Sequence, residues 1–121
     1  EGMRVRSDRS RLEQVIINIM LNGVEAMEEK RSERREDEQA SLSVSSHTDG
    51  AYCYLEIVDQ GVGMTAEEIR RTMEPFYTTK STGTGLGLSI SRQYMADTGG
   101  SLRIDSEKGR YTRVTLQFER E

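Results

Sequence analysis

The chain has 121 residues, the size of one domain, with 31% charged and 34% hydrophobic residues and a formal net charge of −4, which is typical of a small globular domain. Nucleic-acid binding requires clustered positive charge and is not expected. The single cysteine, Cys53, excludes an internal disulfide and fits a reducing compartment. Since no apolar run approaches the ~20 residues of a membrane span, we expect a cytoplasmic domain without direct membrane contact. The opening residues, Glu-Gly-Met-Arg-Val, indicate a fragment cut from a longer protein.

The first strongly patterned segment predicts a long helix. A short strand is predicted at Met3–Arg6. Asp8 follows it as the N-cap of the helix, whose helical pattern continues to about Lys30. At 100° per residue, a broad apolar face holds Leu12, Val15, Ile16, Ile19, Gly23, Ala26 and Met27, a second holds Ile17, Leu21 and Val24, and a narrow polar stripe holds Gln14, Asn18, Asn22, Glu25 and Glu29. This projection predicts a mostly buried helix with one polar line.

The middle of the chain predicts a β-hairpin after a charged tract. Ten of the twelve residues of Glu28–Gln39 are charged, so this tract is a frayed helix end or a solvated loop. Strands are predicted at Ala40–Thr48 and Ala51–Asp59, with a turn at Asp49-Gly50. In the second strand the period-two row Cys53, Leu55, Ile57 and Asp59 ends an apolar face with an aspartate.

The remaining elements complete an α+β pattern. Thr65 and Glu68 form a capping box for a short helix, which Pro75 stops before a loop that runs to Gly87. A helix at Leu86–Thr98 is followed by strands at Ser101–Ser106 and Tyr111–Glu119. This order predicts a layered α+β sandwich and not a doubly wound parallel sheet.

Two glycine clusters border loops next to helices, Gly61/Gly63 and Gly83/Gly85/Gly87. Glycines allow backbone N–H groups to approach phosphate oxygens at a helix N-terminus. The second cluster matches neither a Walker loop nor the dinucleotide fingerprint, because Leu88 occupies the third glycine position. By itself the cluster fits two structures equally well: a phosphate-binding loop, or a flexible turn with close helix packing.

Three polar residues are candidates for ligand contacts. Asn18 and Asn22 lie on one side of the first helix, where their amide oxygens can serve a magnesium ion that already carries phosphates, or can simply face water. Asp59 is costly to bury without a donor. An exocyclic amine such as that of adenine supplies one, with Gly61 and Gly63 leaving room for the base; a helix cap or a buried ion pair is the structural alternative.

Together the motifs resemble one family. Asn18-Ile-Met-Leu-Asn22-Gly is similar to the N box, Asp59-Gln-Gly61-Val-Gly63 to the first glycine box, Glu74-Pro-Phe-Tyr-Thr-Thr-Lys80 to the F box and Gly83-Thr-Gly-Leu-Gly-Leu88 to the second glycine box. These are the motifs of the catalytic, ATP-binding domain of sensor histidine kinases, in the superfamily shared with gyrase and mismatch-repair ATPases. They occur in the family's order, and the resemblance covers nearly the whole chain.

The resemblance implies a single domain over residues 1–121 with a Bergerat fold: a mixed, mostly antiparallel sheet packed on helices, with a flexible ATP lid. It implies that ATP and Mg²⁺ bind, that Asp59 contacts the adenine amine, that Asn22 binds the magnesium, and that Asn18 serves the metal or the phosphates. Lys80 would be a mobile, catalytic positive charge on the lid, and Phe76 would pack the lid against the body of the domain. The other implied nucleotide contacts are Gly61, Gly63, Gly83, Thr84, Gly85, Leu86, Gly87 and Leu88.

The implied activity is transfer of the γ-phosphoryl group to a histidine on a neighbouring dimerisation and phosphoacceptor domain, with a response-regulator receiver domain as the next partner. The isolated domain is expected to be monomeric and the longer kinase homodimeric. A stand-alone anti-sigma-factor serine kinase, a small ATPase and a pseudokinase scaffold are the alternatives. His47 sits at a strand end and is expected to be a surface residue, not the phosphoacceptor. Gly23 stands where the family usually has alanine, and the tract Glu28–Gln39 is longer than usual.

Overall fold

The computed structural model describes residues 9–30, 41–74 and 87–120, and three helices and four strands lie within them. The helices are α1 (Arg9–Glu29), α2 (Ala66–Thr72) and α3 (Gly87–Asp97), and the strands are β1 (Leu42–Thr48), β2 (Tyr52–Asp59), β3 (Ser101–Glu107) and β4 (Tyr111–Glu119). The predicted elements within these ranges are confirmed. The Met3–Arg6 strand, the Asp8 cap, residues 31–39 of the charged tract and the loop from Pro75 to Leu86 lie outside the described residues.

The four strands form one sheet in the order β1-β2-β4-β3, and each neighbouring pair is antiparallel. The predicted α+β class is therefore confirmed. Within the described strands there is no parallel pair of the kind that a mixed sheet contains.

The core lies between α1 and α3 on one side and the central strands β2 and β4 on the other. Its buried members include Ile19, Ile57, Met95 and Leu116. Alternation along β4 places Val114, Leu116 and Phe118 on the covered face, as the period of two requires. Among the described helices, none combines the length and apolarity that crossing a membrane requires.

The prediction of a mostly buried first helix was wrong for one of its two apolar faces. Ile17, Leu21 and Val24 are 54%, 55% and 45% exposed, whereas Val15 and Ile19 are covered. The reason is the layer arrangement, because a helix on a sheet buries only the stripe that faces the sheet and its neighbouring helix. Within the described residues, α1 packs on β1, β2 and α3.

Candidate functional site

A row of polar side chains crosses three adjacent strands at one end of the sheet's covered face. Asp59, the last residue of β2, pairs in register with Thr112 of β4, and Thr112 pairs with Ser106 of β3. Directly paired residues of antiparallel strands project to the same face. Two residues further along, the equivalent row is apolar and consists of Ile57, Val114 and Ile104. The polar row therefore marks the edge of the core.

Asp59 is a buried carboxylate, only 7% exposed, and its side chain is held in place. Its Oδ1 accepts a hydrogen bond of 2.9 Å from the backbone N–H of Gly61. A carboxylate removed from water requires donors, because an unpaired buried charge is costly. The turn after β2 supplies one of them and thereby fixes the direction of the carboxylate.

The loop that follows Asp59 is clamped between α1 and the β3–β4 turn. The N–H of Val62 donates to the carbonyl of Ala26 at 3.2 Å, and the N–H of Gly109 donates to the carbonyl of Val62 at 2.5 Å. Further along, the N–H of Met64 donates to Ser106 Oγ at 2.7 Å. The loop is therefore a rigid wall beside the polar row.

Gly61 and Gly63 are required by these close approaches. A Cβ on Gly61 would lie 2.5 Å from the Cβ of Ala26, and one on Gly63 would lie 2.1 Å from the carbonyl oxygen of Glu107. Gly63 also has a φ of +68°, which disfavours other residues. Atoms of Ala26 and Glu107 therefore occupy the space that a Cβ on these two glycines would need. The predicted contact of Gly61 and Gly63 with a nucleotide stays a prediction.

The short helix α2 is tied to the same turn. Thr65 Oγ1 accepts from the N–H of Glu68, and Glu68 Oε1 accepts from the N–H of Thr65, so the predicted capping box is confirmed. Lys108 Nζ donates to Glu68 Oε1 at 2.9 Å. The Thr65 N–H and then the Lys108 ammonium lower the pKa of Glu68 from its ordinary value of 4.5, because both stabilise the charged carboxylate.

Asn18 and Asn22 lie on the flank of α1, and both are half-buried. The next residue, Gly23, faces Asp59: a Cβ built on Gly23 would lie 3.3 Å from Asp59 Oδ2. The α1 segment that carries Asn22 therefore runs past the polar row. Asn18 lines a cleft of about 250 Å³ between α1 and α3. Amide oxygens suit Mg²⁺, which needs only one or two protein ligands when phosphates and water supply the rest.

The described part of the second glycine box begins at α3. Gly87 is its first residue, and Leu88 is half-buried and packs against the core. The remaining predicted contacts lie outside the described residues: Phe76, Lys80, Gly83, Thr84, Gly85 and Leu86. His47 is exposed and stacks on Tyr54 with ring centroids 4.7 Å apart. It lies near the opposite end of the sheet from Asp59, because it pairs with Tyr54 in the first half of β2, as expected for a surface residue.

Sequence reasoning missed Thr112 and Ser106. Both hydroxyls lie in the polar row, and Thr112 is buried at 7% exposure. The sequence did contain a signal, which is a polar residue at the end of an apolar period-two row. Thr112 begins the row that continues with Val114, Leu116 and Phe118, just as Asp59 ends the apolar row of β2. It could not be used, because the alignment of these two row ends depends on strand register.

Comparison with known proteins agrees with this architecture. Residues 7–121 match the family described as histidine kinase-, DNA gyrase B- and HSP90-like ATPases, and the chain belongs to that family. The catalytic domain of histidine kinase ThkA in its nucleotide-free form superimposes with a TM-score of 0.79 at 28% identity, covering 98% of this chain and 74% of that structure. The mycobacterial sensor histidine kinase MprB, at 24% identity and a TM-score of 0.77 over 95% of this chain and 74% of that one, shares the fold.

The most similar curated relatives include named sensor kinases. Sporulation kinase C of Bacillus subtilis is 34% identical over 110 residues, 91% of this chain and 24% of the relative. Sensor histidine kinase ZraS of Escherichia coli K12 is 30% identical over 112 residues, 93% of this chain and 22% of the relative. This chain therefore spans about a quarter of the length of these relatives. The family membership supports ATP as the nucleotide and a histidine kinase catalytic domain as the class.

Proposed function

We propose that this chain is a single catalytic domain that binds ATP with magnesium and transfers the γ-phosphoryl group to a histidine of a neighbouring dimerisation and phosphoacceptor domain. The observation that carries the proposal is Asp59, a buried carboxylate at the edge of the core whose direction is fixed by the Gly61 N–H. Such a group suits a ligand that brings a hydrogen-bond donor to the edge of the core.

Adenine binding is assigned to the end of the sheet. Asp59 accepts from the exocyclic amine, and Thr112, its partner in the β2–β4 register, adds a second polar contact. The clamped loop with Gly61 and Gly63 forms one wall. A preorganised site of this kind binds without a large ordering cost.

Metal and phosphate binding is assigned to α1 and to the N-terminus of α3. Asn22 holds the metal, and Asn18 serves the metal or the phosphates. Magnesium, when bound, neutralises charge on the phosphate oxygens. The first N–H groups of α3 lack helical partners and favour anions, and Lys80 adds a positive charge that the resemblance implies.

Transfer to a protein side chain is favoured over hydrolysis of ATP. The ATPase branches that the motifs resemble carry a glutamate four residues before the metal-binding asparagine, and this chain has Asn18 there. An amide cannot accept a proton from an attacking water as a carboxylate does. Phosphoryl transfer then depends on positioning and charge neutralisation, with an imidazole as nucleophile. A receiver-domain aspartate is the proposed next acceptor, and the longer kinase is proposed to be a cytoplasmic, homodimeric enzyme.

The test is incubation of the 121-residue chain with γ-labelled ATP, with and without the histidine-bearing helical hairpin of its own gene added as a separate polypeptide. We expect acid-labile label on the hairpin only, at a low rate because tethering is lost, and slow phosphate release. Acid-stable label on the chain itself would favour a serine kinase, and rapid phosphate release without the hairpin would favour an ATPase.

A further inference from the structure

The Ser106 hydroxyl joins three parts of the site. Its Oγ accepts from the N–H of Met64 at 2.7 Å, donates to the carbonyl of Tyr111 at 2.6 Å and lies 2.9 Å from Thr112 Oγ1. Ser106 is half-buried and Thr112 is buried. These three contacts account for the whole hydrogen-bonding capacity of a serine hydroxyl, which has one proton and two acceptor sites.

Counting protons fixes the direction of the Ser106–Thr112 bond. A carbonyl oxygen can only accept, so the single Ser106 proton belongs to the Tyr111 carbonyl. Ser106 must therefore accept in its contact with Thr112, and Thr112 spends its own proton on Ser106. Thr112 Oγ1 is left with lone pairs alone to offer a ligand, beside the Asp59 carboxylate, which accepts as well.

We infer that Ser106 is a positioning residue that holds Thr112 as a hydrogen-bond acceptor, so that the polar row rejects bases carrying a carbonyl at the amine position. This inference rests on the proposed function, because it assumes that the base lies on Asp59 and Thr112. Because Asp59 and Thr112 can only accept hydrogen bonds there, the polar row matches the amine of a 6-aminopurine. A 6-oxopurine brings an acceptor to the same place, which leaves the acceptors without a donor. Sites that hydrogen-bond a specific group discriminate strongly, because a mismatch leaves buried polar groups unpaired.

Removing the Ser106 hydroxyl frees Thr112 to rotate its proton. In Ser106→Ala, Thr112 can donate to the carbonyl of a 6-oxopurine, and the polar row then accepts both the 6-aminopurine and the 6-oxopurine. We expect the ratio of the Kd for ITP to the Kd for ATP to fall about tenfold relative to the parent chain, the scale of one hydrogen bond gained or lost. Ser106→Cys keeps the size of the side chain but is a weak acceptor, so its ratio should also fall.

The experiment is calorimetric titration of the 121-residue chain with ATP and with ITP, both with magnesium. Ser101→Ala is the matched control, since Ser101 is exposed on the same strand, and its ratio should not change. Thr112→Val removes the acceptor itself, and adding Ser106→Ala to it should change the ratio no further, because both act through one oxygen.

Two outcomes overturn the inference. If Ser106→Ala weakens ATP and ITP by the same factor, Ser106 only secures the loop through Met64. If its effect persists in full on the Thr112→Val background, it does not act through Thr112. Failure of the proposed function looks different, because the parent chain would then bind neither nucleotide.

Discussion

Gly23 of α1 lies against the side chain of Asp59 on β2: a Cβ built on Gly23 would be 3.1 Å from Asp59 Cβ and 3.3 Å from Oδ2. It would also be 3.0 Å from Leu42 Cδ1. The absence of a side chain at Gly23 therefore allows α1 to approach the polar row closely. Glycine is unfavourable inside a helix, but Gly23 allows α1 to pack closely against the candidate site.

Gly23→Ala is expected to affect nucleotide binding more than stability. Alanine favours the helix by about 1 kcal/mol over glycine, which offsets the strain of the new contacts. Leu42 can rotate away, but Asp59 is fixed by its strand and by Gly61. The carboxylate should shift, and ATP affinity should fall about 3- to 10-fold, the scale of one weakened hydrogen bond, with little change in Tm. Thermal unfolding and titration calorimetry measure both. A large loss of Tm without a change in affinity would contradict this account.

Asp59→Asn should weaken ATP binding by about 10- to 100-fold, the range for a hydrogen bond to a charged group. The amide oxygen can still accept from Gly61, so the fold should persist, but the amide nitrogen presents a donor where an acceptor is needed. Asp105→Asn, at a half-exposed carboxylate of β3, is the control. If the parent chain binds GTP as tightly as ATP, Asp59 does not read the base.

Asn22→Ala should remove the part of ATP affinity that depends on magnesium and leave affinity in EDTA unchanged. The side chain lies on the flank of α1 and outside the core cluster, and alanine favours a helix over asparagine, so Tm should not fall. Gln14→Ala, on the same stripe and exposed, is the matched control. Magnesium-dependent affinity that survives in Asn22→Ala would remove Asn22 from the metal site.

Gly63→Ala should be strongly destabilising, and two further glycines separate the causes. Gly109 has a φ of +85° with open space around it, and Gly50 has open space around it and no positive φ. Gly109→Ala should therefore cost only the backbone term of about 1–2 kcal/mol, and Gly50→Ala close to nothing. Gly63→Ala adds the collision with the Glu107 carbonyl. Chemical denaturation of the three variants should rank them in this order; equal costs for Gly63→Ala and Gly109→Ala would show that the close approach is relieved easily.

Glu68 should make α2 sensitive to acid. Its pKa is lowered, first by the Thr65 N–H and then by Lys108, so its contribution is present above its ordinary value of 4.5 and is lost as the pH falls through the lowered pKa. In Glu68→Ala, amide exchange in α2 should be faster at pH 7, with the difference vanishing at low pH. Lys108→Met keeps the cap and should have the smaller effect. A difference that persists in strong acid would mean that the carboxylate charge is not involved.

Much of the fold could be predicted because it depends on local patterns. The Asp49-Gly50 turn and the alternation in β2 determined the hairpin, and Thr65 with Glu68 determined the start of α2. The exposure of Ile17, Leu21 and Val24 could not be predicted, because an apolar face shows that burial is possible but does not show how many layers surround the helix.

The sequence by itself determined the elements, the family and the importance of Asp59, since a carboxylate at the end of an apolar row requires a donor in any fold. Only the tertiary structure decided what lies beside it. The strand order β1-β2-β4-β3 brings Thr112 next to Asp59 and Ser106 next to Thr112, although both lie far from Asp59 along the chain. Strand register is set by the packing of the whole sheet against the helices. The alignment of Asp59, Thr112 and Ser106 in one polar row is therefore a property of the folded protein.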